Sequence, residues 1–241
     1  MARVTDKGII GLVGSVVFYE MDGKNYVRSK PAKRVKKRNK KQLPVNNIFG
    51  TISMYGSGMI GDMKHGFLFP FKRGTYNSVR GWMYNEYSAN YLKEHWDLDA
   101  RNHSMCRLNE SVDLRDFIKT GFEIKDTGSG KISISYPELN PANNFKAPPQ
   151  TKKIKIKMIV VTSGFQNKLA RRGFYKEEYN FNYKNEPMPA KDIVISTTAA
   201  PGDIAIVAIA LEYATTDWQG DRYFTDLNCL PAAIVSMGRL K

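Results

Sequence analysis

The chain is poor in the residues that build metal centres and disulfide frameworks. Its 241 residues include two cysteines, Cys106 and Cys229, and three histidines, His65, His95 and His103. A small disulfide-stapled scaffold needs more cysteine than that. A structural zinc site needs four ligands, and Cys229 stands far from His95, His103 and Cys106, so these are read as surface or partly buried polar residues. No apolar run approaches the roughly 20 residues that cross a bilayer, so no transmembrane segment is expected. Catalytic motifs are missing too. Gly128-Ser129-Gly130-Lys131 suggests a phosphate loop, but that motif wants glycine where Lys125 stands and Ser or Thr where Ile132 stands; a hairpin turn is expected. No Ser-His-Asp or Cys-His arrangement has a recognisable local context. Glu177 and Glu178 are neighbours on an expected strand, so they point to opposite faces and make a poor carboxylate pair. Asp217 and Asp221 flank an expected hairpin loop, with Trp218 packed on the sheet edge rather than beside a cation. The chain is therefore read as non-enzymatic, with no cofactor and no metal.

Acid is missing from one place in particular. The formal net charge is +14. Residues 1–50 hold 12 Lys and Arg against 3 Asp and Glu. Nine of the fourteen residues from Arg28 to Lys41 are basic and none is acidic: Arg28, Lys30, Lys33, Arg34, Lys36, Lys37, Arg38, Lys40 and Lys41. Charges this dense repel one another and stay solvated until an anionic partner arrives. These nine residues are the candidate partner or polyanion site, and nucleic acid is one candidate partner. No aromatic residue interrupts the run, so base stacking on single strands is not indicated.

What is present is mostly strand. Arg3 and Lys7 precede an apolar stretch over 9–19 that superficially resembles a secretory signal. Gly11, Gly14, the β-branched residues and the lack of a small-residue cleavage site favour a strand. A hairpin is expected over 8–30, turning at Asp22-Gly23. Residues 44–75, rich in glycine and aromatics, are read as irregular structure or short strands. Val79, Met83, Tyr87 and Tyr91 recur at four-residue steps and predict an amphipathic helix over 77–97. A short helix is expected over 111–119 and a hairpin over 121–136. Four prolines mark 137–150 as a linker. Beyond it, Ile154, Ile156, Met158 and Val160 alternate with lysines. Further strands are expected at 173–183, 192–197, 203–213, 222–229 and 232–237, with 203–213 central because it is the most apolar. The expected fold is α+β, mainly β. It comprises an N-terminal hairpin and basic arm (1–43), a mixed α/β region (44–136), the linker, and an antiparallel immunoglobulin-like β-sandwich (151–241).

Lys7-Gly8, Gly11, Gly14, Val16-Val17-Phe18-Tyr19, Gly23-Lys24 and Tyr26-Val27-Arg28-Ser29-Lys30-Pro31 together resemble the N-terminal signature of an uncharacterised family of small, basic, β-rich Bacteroidota proteins. Lys40-Lys41-Gln42-Leu43 is similar to that family's following basic run and Gln-Leu. The family then continues into a helix carrying an Arg and a Phe, whereas here Pro44-Val45-Asn46-Asn47 and a glycine-rich stretch intervene. The resemblance implies a β-rich outline and a non-enzymatic role, and supplies no catalytic residues.

Two functions follow as expectations. One is a structural or assembly protein, a subunit of a virion-like, surface or filamentous assembly, forming a homo-oligomer or larger complex. Its assembly strand would be Val16, Val17, Phe18 and Tyr19, adding to a neighbour's sheet edge. Such a protein would be made in the cytoplasm and then incorporated. The other is a sequence-independent nucleic-acid-binding protein using residues 28–41.

Overall fold

The computed structural model of the chain describes residues 2–5, 8–21, 23–30, 48–93, 96–98, 105–164 and 172–241. Residues Met1–Leu43 and Pro44–Lys241 form two compact units.

The first unit is a four-stranded antiparallel meander in chain order. Its strands are β1 (Ala2–Thr5), β2 (Gly8–Val13), β3 (Val16–Met21) and β4 (Lys24–Ser29). The β3–β4 hairpin is the expected one. The glycine-spaced stretch before it is itself strand, because the apolar run over 9–19 is folded in two. Gly14 (φ 58°) and Gly23 (φ 74°) sit at the reversals on either side of β3, in the left-handed backbone that residues with a Cβ resist.

The second unit is α+β and mainly β, in three layers. Its largest sheet has six antiparallel strands, ordered β5-β13-β11-β8-β9 with β12 alongside β11. These are β5 (Cys106–Arg107), β8 (Lys153–Ser163), β9 (Arg172–Asn182), β11 (Ile204–Asp217), β12 (Gly220–Tyr223) and β13 (Ala232–Arg239). A second sheet has order β10-β7-β6, from β6 (Glu123–Gly128), β7 (Lys131–Tyr136) and β10 (Lys191–Ser196). β11 lies inside the large sheet as its apolar run requires, and β11 alternates between two cores. Ala205, Val207, Ile209, Leu211 and Tyr213 pack with Ile124, Ile132, Ile134 and Ile195 of the small sheet. Ile204, Ile206, Ala208 and Ala210 pack against helices on the other face.

Those helices correct the reading of 44–75. Residues 48–66 form one helical run, built from a π-helical turn (Ile52–Gly56), α1 (Ser57–Met63) and a 3-10 turn (Lys64–Gly66). Ile52, Tyr55, Met59, Ile60 and Met63 are its buried face, at helical spacing. Five glycines from Gly50 to Gly66 disguise that period, and burial against the sheet overrides their poor helix propensity. α2 (Arg73–Asn90) starts four residues before the expected helix and ends seven earlier, burying Val79 and Met83. Trp96, beyond the helix, is buried as well. The expected helix over 111–119 is a single 3-10 turn, Leu114–Asp116, begun by the Asp113 carboxylate accepting from the Arg115 N–H.

Residues 137–150 are packed rather than a linker. Leu139 and Phe145 are buried. The short helix α3 (Pro141–Asn144) lies between them, and the Tyr213 hydroxyl donates to the Lys146 carbonyl at 2.9 Å. β7 pairs with β10 across this segment, so one core spans what the prolines suggested were two regions. The strand expected at 222–229 is shorter: β12 ends at Tyr223 and a 3-10 turn, Leu227–Cys229, follows.

Candidate assembly surface

In the first unit, Val16, Val17, Phe18 and Tyr19 lie in β3, flanked by β2 and β4. Val16, Val17 and Phe18 are already paired with β2 on one side and β4 on the other, so they have no backbone left to add to a neighbour's sheet, while Tyr19 pairs with Tyr26 of β4. What it offers is its side chains. Register and alternation place Ile9, Gly11, Val13, Val16, Phe18 and Val27 on one face, together with the polar Glu20, Asn25 and Ser29. Ile9, Val13 and Val27 are 45%, 51% and 61% exposed. The other face carries Ile10, Leu12, Val17, Tyr19, Tyr26 and Arg28. There the Tyr19 and Tyr26 rings stack at 5.6 Å and the Arg28 guanidinium sits 5.5 Å from the Tyr19 ring centre.

No described residue from Ile9 to Lys30 is buried, and every residue of β4 is exposed. A sheet normally buries one face against another layer, because sheet hydrogen bonds alone contribute little net stability. Arg28 and Lys30 are exposed, at the end of β4. Lys33, Arg34, Lys36, Lys37, Arg38, Lys40 and Lys41 lie outside the described residues.

The second unit holds a polar cluster that sequence reasoning missed. Lys157 and Glu212, 6% and 3% exposed, form an ion pair on the helical face of the large sheet. Lys155 lies 3.2 Å from Glu178 and 3.8 Å from Glu212, with its ammonium 4.2 Å from the centre of the Tyr223 ring. Lys176 closes on Glu178 at 2.9 Å. Burial by itself would lower the Lys155 ammonium, but bonds to Tyr223 and Glu178 outweigh it and raise the group. Burial would likewise lift the Glu178 carboxyl, but bonds from Lys176 and Lys155 hold it below the usual carboxylate range. The available signal was Glu212, a lone acid inside the apolar strand 204–214, opposite lysines at two-residue spacing.

The chemistry-bearing residues are otherwise occupied. Asp221 bonds Lys153 at 2.7 Å and Thr216 at 2.8 Å, while Asp217 bonds Arg222 at 3.1 Å. Trp218 between them is 90% exposed at the hairpin tip, not packed on the sheet edge, because β11 and β12 run beyond the layers that could cover it. Gly128 to Lys131 is a hairpin turn between β6 and β7. Glu178 belongs to the ionic cluster, and Glu177 lies on the opposite face of β9. His65 is exposed, and His95 and His103 lie outside the described residues. No three His, Cys, Asp or Glu side chains among the described residues are grouped to hold a metal. A pocket lined by Met105, Leu114, Ile118, Phe122 and Val235 holds about 50 Å³, and two more open surface hollows hold about 330 Å³ beside Asp126 and Lys241 and about 500 Å³ beside Phe67, Phe69 and Phe71.

Cys106 is buried, and burial pushes its thiol up to about 11. An unfolded thiol titrates near 8.5, so between these values the folded chain keeps a proton that the unfolded chain loses. Stability is then full below about pH 8.5 and falls as pH rises, by about 3 kcal/mol once both states have titrated. Urea midpoints at pH 7.5 and 10.5 should fall further apart in the native chain than in Cys106→Ala. Equal separations would show that this thiol ionises alike in both states.

No family model matches the chain, and no curated protein or solved structure matches it.

Proposed function

We propose that this is a non-catalytic assembly protein whose N-terminal sheet docks on partner subunits. The observation that supports it is the four-stranded sheet with apolar residues on both faces and, among the described residues from Ile9 to Lys30, none that is buried. An open apolar face bearing Ile9, Val13, Phe18 and Val27 gains free energy on being covered, about 25 cal/mol per Å². The docking surface is the side-chain face, not β3 as an added strand. The resemblance of residues 7–43 to a non-enzymatic family belongs to this proposal. So does the immunoglobulin-like description of the second unit, supported by two antiparallel sheets that share one core.

The charge density of residues 28–41 favours a second reading, in which the arm is a sequence-independent contact to phosphate. One experiment addresses both. Light scattering on the eluting protein should show higher-order species for the full chain, lost in Val13→Asp/Val27→Asp and on deletion of residues 1–43. An unchanged mass distribution in both variants rejects the assembly role. Adding duplex DNA at about 50 mM salt should shift the elution, with the shift fading steeply as salt rises. No shift, or a shift that survives neutralising the nine basic residues, rejects the second reading.

A further inference from the structure

We propose that β9 is a dimerisation edge, to which β9 of a second copy of this chain adds antiparallel about a two-fold axis at Glu177. β9 belongs to the second unit and not to the N-terminal sheet. β9 closes one side of the large sheet and is eleven residues long. The other free edges of the unit are shorter, with two residues in β5, four in β12 and six each in β6 and β10. A long open edge is a template for another strand unless it is guarded.

The backbone register decides which groups face outward. The Tyr183 N–H donates to the Lys152 carbonyl at 2.7 Å, in the register that pairs Asn182 with Lys153. Hydrogen-bonded pairs alternate along an antiparallel ladder. Odd-numbered residues of β9 therefore turn their N–H and C=O toward β8, and even-numbered ones turn them outward. Among the described residues, no backbone hydrogen bond reaches the outward groups from Arg172 to Asn180.

A second β9 must meet this edge with its own even-numbered residues, and a two-fold axis normal to the sheet does that. The axis at Glu177 sets Lys176 opposite Glu178 of the other copy, twice, and Tyr175 opposite Tyr179. Phe174 then faces Asn180, and about ten backbone hydrogen bonds can form. Moving the axis by one residue either way sets Lys176 against Lys176, or Glu178 against Glu178. Charge thus selects one register out of three. Its cost is Glu177 facing its own mate on the other face of the sheet.

That facing pair provides the test. Residues directly opposed in a non-hydrogen-bonded pair have Cα atoms about 4.5 Å apart, within disulfide reach. In the full-length chain under mild oxidation, Glu177→Cys should give a covalent dimer in at least about tenfold higher yield than the native chain, which controls for Cys229. Asn180→Cys should stay at the native level, because its opposite residue is Phe174. Adding Asn180→Pro to Glu177→Cys removes an outward N–H, leaves the bonds to β8 intact and should abolish the cross-link. A native-level yield for Glu177→Cys, an equal yield for Asn180→Cys, or a cross-link that survives Asn180→Pro with native circular dichroism overturns the proposal. Should Asn180→Pro unfold the chain, the two cysteine variants decide alone.

Discussion

Glu212→Leu should destabilise the protein by about 3–5 kcal/mol, and Lys157→Met should do nearly the same. Each substitution strands a charge inside the molecule. Lys157 and Glu212 are buried, and each is the other's nearest ionic partner. The remaining opposite charges are farther off, Lys155 at 3.8 Å from Glu212 and Glu178 at 3.9 Å from Lys157. The double variant Lys157→Met/Glu212→Leu removes both charges and keeps the apolar volume. It should recover most of the loss and could exceed native stability, since desolvating an ion pair offsets most of its attraction. Urea denaturation of the four proteins closes a double-mutant cycle. Singles costing under about 1 kcal/mol would mean that water reaches the pair. A double variant as unstable as the sum of the singles would mean that the two side chains do not act on one another.

Gly238→Ala should be nearly as damaging, at about 2–4 kcal/mol. A Cβ there would lie 2.8 Å from the carbonyl carbon of Asp97 and from the amide nitrogen of Leu98. Those are backbone atoms and cannot rotate aside. Two bonds hold the same segment against β13. Ser236 donates its hydroxyl to the Leu98 carbonyl, and the Arg239 N–H donates to the Trp96 carbonyl at 2.8 Å. Backing away from the methyl group breaks them. Gly81→Ala is the control: it lies in α2 with nothing within 4 Å of its Cβ position. It should stabilise the helix by up to about 1 kcal/mol. Equal melting temperatures for the two variants would show that the Asp97–Leu98 segment yields freely.

Both predictions rest on pairings distant in sequence, and this is where sequence reading stopped short. Strands β8 to β11 were legible because β-branched residues alternate with polar ones, or run unbroken where both faces are covered. The helix at 73–90 was legible from its four-residue stripe, though not its ends. The helical run over 48–66 was not, because its glycines concealed an apolar face that only the sheet beneath stabilises. The prolines at 137–150 predict a spacer, yet Phe145 and Leu139 plug the core between the sheets. At the candidate surface, the hairpin was legible from Gly23 and its flanking strand formers. That β3 is an interior strand is not, because the stretch 9–19 reads as one strand rather than two folded at Gly14, and no strand is expected over 2–5.

By itself, the sequence determined the mainly β class, the central place of residues 204–213, and the concentration of positive charge between Arg28 and Lys41. Those properties follow from local composition and period, which any short window of chain displays. Tertiary structure alone decided which lysine meets Glu212, which glycine must lack a Cβ, that Trp218 stands free, and that no described residue of the N-terminal sheet from Ile9 to Lys30 is buried. Each depends on what lies opposite a residue across layers, and side chains far apart in the chain meet there only once register and packing are set.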